Sequence, residues 1–75
     1  MYLKKIQKLI ANKMGLEPQE IEPASHFAED LNMGELEVME LIEILENEYD
    51  IEIADLADSI ETVEDLVTIL AEELE

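Results

Sequence analysis

Catalysis and metal binding need nucleophiles, bases or ligands at workable spacings, and this chain offers few. His26 is the only histidine, and cysteine is absent. His26 alone reads as a solvated loop residue, so no nucleophilic triad and no metal centre is expected around it. No Gly-rich phosphate loop occurs, and the EF-hand alternation of Asp/Asn ending in Gly is missing. Asp50, Glu52, Asp55 and Asp58 could draw Ca²⁺ or Mg²⁺ loosely, but this pattern reads better as a solvated acidic surface. The chemistry argues against an enzyme.

Carboxylates are the abundant functional group. There are 21 Asp and Glu against four lysines, a formal charge of −17. Lys4, Lys5, Lys8 and Lys13 all lie in the first thirteen residues, and every acid lies beyond Met14. Phosphate backbones and anionic membranes would be repelled, so nucleic acid is not an expected partner. Basic protein patches are. No apolar run exceeds three residues, as in Leu9-Ile10-Ala11. No membrane insertion and a cytoplasmic location are therefore expected.

The elements that position these groups follow from hydrophobic spacing. Seventy-five residues allow one domain, 1–75. Surface scaling gives it a folded area of roughly 4,700 Å², against roughly 12,500 Å² unfolded. Leu3, Ile6, Leu9, Ile10 and Met14 predict a helix over 2–14, stopped by Gly15. Residues 16–34 contain Pro18, Pro23 and Gly34 and read as a long first loop. Leu16, Ile21, Phe27 and Leu31 are the residues to staple it down, with a helical turn expected within Ser25–Leu31. Val38, Leu41, Ile42, Leu45 and Tyr49 predict the strongest helix, 35–49. Glu37, Glu40, Glu43 and Glu46 repeat every third residue on another side. A short turn is expected over 54–59. Thr62, with Asp65 three residues on, is a candidate capping box for a last helix carrying Val63, Leu66, Val67, Leu70 and Leu74.

The segment Phe27-Ala28-Glu29-Asp30-Leu31-Asn32-Met33-Gly34-Glu35-Leu36 resembles the acyl carrier protein family, whose pattern reads F-x-E-D-L-G-x-D-S-L. Leu45-Glu46-Asn47-Glu48-Tyr49-Asp50-Ile51-Glu52-Ile53 is similar to the family's L-E-E-E-F-D-x-E-I. Ile60-Glu61-Thr62-Val63-Glu64-Asp65 looks like its I-x-T-V-x-D. The implied fold is all-α: a four-helix up-and-down bundle with three main helices, one short helix and a long first loop.

In that family the serine of D-S-L carries 4′-phosphopantetheine, the arm that holds the acyl chain. Here Glu35 stands at the serine position and Gly34 at the preceding Asp. Glu35 has no hydroxyl to esterify. Ser25 and Ser59 lie outside any such context, so the cofactor is expected to be absent. A carboxylate in the first helical turn is itself favourable, and Gly34 is an acceptable N-cap.

The resemblance also implies that helix 2 docks on partner enzymes. The matching residues are Glu35, Glu37, Glu40, Glu43 and Glu46, with Ile44 as an apolar contact between the acids and Met33 and Met39 as further contributors. The expected role is a monomeric, non-catalytic interaction module that meets basic patches on enzymes of lipid or secondary-metabolite synthesis. The alternatives are a protein that holds a fatty acyl chain non-covalently and an acidic divalent-cation binder.

Overall fold

A computed structural model describes residues 2–75. Three α-helices, α1 (Tyr2–Met14), α2 (Glu35–Tyr49) and α3 (Val63–Leu74), alternate with two 3-10 helices, Pro18–Glu20 and Ala54–Ser59. The described residues contain no strand. The chain forms an all-helical, four-helix bundle in which Ala54–Ser59 is the short member. Its accessible surface is 4825 Å², close to the area expected for this chain length. None of the helices is long and apolar enough to cross a membrane.

The predicted stripes meet in one core. Ile6, Ile10 and Ala11 of α1, Leu41, Ile42 and Leu45 of α2, and Val63, Leu66 and Leu70 of α3 are buried. Leu3, Leu9, Met14, Val38, Tyr49 and Val67 pack at its edges. Two ion pairs tie α1 to α2: Lys5 with Glu48 at 2.5 Å, and Lys13 with Glu40. The low-numbered lysine meets the high-numbered glutamate, so the helices run antiparallel. The Glu48 carboxylate holds the Lys5 ammonium above its ordinary pKa.

The helix ends follow local chemistry. Gly15 sits at φ 71°, and the Leu16 N–H donates to the Ala11 carbonyl at 3.0 Å, closing α1 with a Schellman turn. The same device ends α2. The Ile51 N–H donates to the Glu46 carbonyl at 3.1 Å, but here Asp50 takes the left-handed conformation, φ 57° and ψ 50°. At the start of α3, Thr62 Oγ1 accepts from the Asp65 N–H at 3.1 Å. Asp65 Oδ2 accepts in return from the Glu61 and Thr62 N–H groups at 3.0 and 3.1 Å. Those bonds, the one from Glu61 foremost, hold the Asp65 carboxyl below its ordinary value.

The first loop is pinned along its length. Ile21, Phe27 and Leu31 are buried and Leu16 half-buried. Met33, 2% exposed, joins them in the core. An antiparallel bridge joins His26 to Thr62: the Phe27 N–H donates to the Glu61 carbonyl and the Val63 N–H to the Ser25 carbonyl, both at 3.0 Å. Gln7 Nε2 holds the Ile21 carbonyl at 2.7 Å from α1. The loop's one helical element is the 3-10 turn Pro18–Glu20, started by the proline. Ser25–Leu31 forms hydrogen-bonded turns instead of a helix. Asp30 and Leu31 both donate to the His26 carbonyl, while the bridge to Thr62 keeps the chain extended at His26.

Candidate functional site

Helix α2 begins where the first loop ends. Gly34 is its N-cap, with extended backbone at φ −79° and ψ 178°. Having no side chain, it cannot cap the helix itself. The Glu37 carboxylate supplies the reciprocal half of a capping box, accepting from the Gly34 N–H at 2.9 Å. A Cβ at Gly34 would stand 2.9 Å from that same Glu37 oxygen. Two residues upstream, Asn32 adopts φ 57° at the position of the glycine in F-x-E-D-L-G. Glycine enters this conformation without penalty, and asparagine is the side chain that tolerates it next best.

Glu35 is the first residue of α2. It is exposed, and among the described residues its carboxylate enters no hydrogen bond or ion pair. Beside it opens a cleft of about 660 Å³ between the start of α2, the first loop and the Ala54–Ser59 helix. Phe27, Met33, Val38, Met39, Ala57 and Ile60 supply its apolar wall. Glu29, Glu35, Asp58 and Glu61 stand round it, with no lysine among the lining residues.

The other acids of α2 differ in availability. A spacing of three falls about 60° short of a full turn at each step, so Glu37, Glu40, Glu43 and Glu46 wind halfway round the helix. Glu37 is half-buried and occupied at Gly34. Glu40 is exposed but paired with Lys13. Glu46 is half-buried, and its Oε2 accepts from the Ile53 and Ala54 N–H groups at 2.7 and 2.9 Å. Glu43 is exposed and unpaired among the described residues, and Ile44 beside it is 41% exposed. Met39 is half-buried at the cleft, while Met33 is buried.

Leu36, 68% exposed, was not among the residues expected at the site. Its signal was in the sequence: a large apolar residue off the Val38-Leu41-Ile42-Leu45 stripe. Among the described residues, Asp50, Glu52, Asp55 and Asp58 are not brought together as a metal-ligating group.

A small helical bundle with an acidic second helix starting beside an open cleft defines a carrier-type domain. The profile of the family "Phosphopantetheine attachment site" matches residues 4–70. The chain belongs to that family and is an acyl-carrier-like domain. The residues at the start of α2 do not fit the family's prosthetic group, however. A phosphodiester forms on a hydroxyl, and the Glu35 side chain ends in a carboxylate. The nearby hydroxyls have structural tasks. Ser25 Oγ accepts from the Glu22 N–H at 3.1 Å. Ser59 Oγ donates to the Leu56 carbonyl at 2.8 Å, and Thr62 caps α3.

Proposed function

We propose that this domain is a non-catalytic interaction module of acyl-carrier type that is not loaded with 4′-phosphopantetheine. It docks on basic patches of enzymes of lipid or secondary-metabolite synthesis. The observation that carries the reading is Glu35: an exposed carboxylate, free of internal partners among the described residues, on the first residue of α2. Its charge is favoured there by the free N–H groups of the first turn, by about 0.3–1 kcal/mol. The docking surface comprises Glu35, Glu43 and Ile44, with Glu40 available once it releases Lys13. Glu37 and Glu46 support the surface by holding the two ends of α2.

The test is modification. Incubated with a phosphopantetheinyl transferase and coenzyme A, the protein keeps its intact mass. The double variant Gly34→Asp, Glu35→Ser gains the adduct, because it restores both the hydroxyl and the preceding acid. The Cβ added at residue 34 meets only the end of the Glu37 side chain, which turns aside to admit it. An adduct on the unaltered protein, at Ser25, Ser59 or elsewhere, would overturn the reading.

A further inference from the structure

Resting on that docking reading, we infer that the cleft beside Glu35 receives an apolar side chain from the partner, presented on a segment flanked by lysine or arginine. Two observations converge on this occupant. Apolar side chains reach the cleft from two elements, Met33, Val38 and Met39 around the start of α2 and Ala57 and Ile60 at the Ala54–Ser59 helix, among polar lining groups in a volume of about 660 Å³. That is far more room than one side chain needs, and half-buried Met39 can adapt to its shape.

The second observation is the charge around it. Glu29, Glu35, Asp58 and Glu61 are all exposed, and none of their carboxylates is hydrogen-bonded or ion-paired among the described residues. By contrast, four of the five acids further along α2 are occupied internally, at Gly34, Lys13, Lys5 and the Ile53–Ala54 N–H groups. The free charge of this face is therefore concentrated at the cleft mouth. An apolar wall inside a ring of unpaired carboxylates is complementary to an apolar residue between cations. A free carboxylate amphiphile would meet four like charges. No covalent arm starts from Glu35, so the wall is open to a side chain from outside.

The experiment uses the intact protein and three acetylated, amidated pentapeptides: KKLKK, KKSKK and EELEE. Binding is followed by the methyl signals of Met33, Val38, Met39 and Ala57 and by the α2 amide signals. KKLKK should shift these methyl signals saturably, and raising NaCl should weaken it. Replacing its leucine by serine should weaken binding roughly tenfold, the effect of one largely buried leucine. EELEE should leave the spectrum unchanged. The double variant Glu35→Gln, Glu61→Gln should bind KKLKK several-fold more weakly. Both residues are exposed, so the fold should survive, as the unchanged core methyl signals of Leu45 and Leu70 would report. Glu72→Gln with Glu73→Gln should bind as the unaltered protein does.

Equal binding of KKLKK and KKSKK would overturn the inference, since charge alone would then suffice. Shifts confined to the amides of Glu40, Glu43 and Ile44 would overturn it while leaving the docking reading intact. Absence of saturable binding by either basic peptide would remove both. Displacement of KKLKK from the methyl signals by uncharged octyl glucoside at lower concentration would make the cleft a lipid site and overturn the inference.

Discussion

Removing a negative charge from a chain with a formal charge of −17 should ordinarily stabilise it, because the acids repel one another. Glu46 is expected to do the opposite. Its Oε2 accepts from the Ile53 and Ala54 N–H groups, and so joins the last turn of α2 to the start of the second 3-10 helix. Ile53 itself is fully buried, so its N–H has no easy route to water. A hydrogen bond to a charged group contributes about 1.5–3 kcal/mol when buried. Here one oxygen serves two donors on a half-buried side chain, and the lost repulsion offsets part of the gain. We expect Glu46→Ala to cost about 2 kcal/mol net. In a domain of this size that lowers the melting temperature by about 8–16 °C. Glu46→Gln keeps an acceptor oxygen and should lose about half as much. Glu43→Ala removes the same charge without a partner and should be neutral or stabilising. Urea unfolding followed by circular dichroism measures all three, and equal slopes confirm that the unfolded states are comparable. Amide exchange should accelerate first at Ile53 and Ala54. Equal stability of the Glu46→Ala and Glu43→Ala proteins would refute this reasoning.

Other outcomes follow from the same structure. Asp50 holds a left-handed conformation at the negative end of α2, so Asp50→Gly should stabilise by about 0.5–1 kcal/mol through relief of backbone strain and of an unfavourable helix-end charge; a lower melting temperature would count against that account. NaCl should raise the melting temperature, and Mg²⁺ should raise it more per charge, because both screen the acidic surface; an unchanged melt in both would show the charges already compensated. Stability should rise from pH 8 toward mildly acidic pH as repulsion eases. Asp65 works against that trend at lower pH: its folded-state pKa is depressed, so its contribution is full above the ordinary carboxylate value of 3.8 and is lost as pH falls through the folded value. Asp65→Asn should therefore flatten the acid limb of a pH–stability curve. Reversing Glu35 and Glu43 to Lys should slow association with a basic partner and flatten its salt dependence, whereas reversal at Glu72 and Glu73 should do much less; stopped-flow measurements that find both pairs equal would point to diffuse attraction instead of docking through α2.

Where a single local period or cap decides the structure, the sequence by itself determined it. The α1, α2 and α3 stripes, the Gly15 stop and the Thr62–Asp65 box depend on residues within a few positions of one another, and all are present as read. That Glu35 carries no hydroxyl is likewise a property of one side chain, legible without a fold. Tertiary structure decided how the carboxylates divide their work. Glu37, Glu40, Glu43 and Glu46 are the same residue at the same spacing, yet one caps Gly34, one pairs with Lys13, one is unpaired among the described residues and one holds the Ile53 and Ala54 amides. Lys13 lies 27 residues from Glu40, and no pattern along α2 encodes that meeting. The cleft likewise needs Met33 at the end of the first loop and Val38 in α2 to meet Ala57 and Ile60 in and just after a separate helix. Pairings between distant segments are fixed by how the buried faces fit together, and that fit exists only in the folded chain.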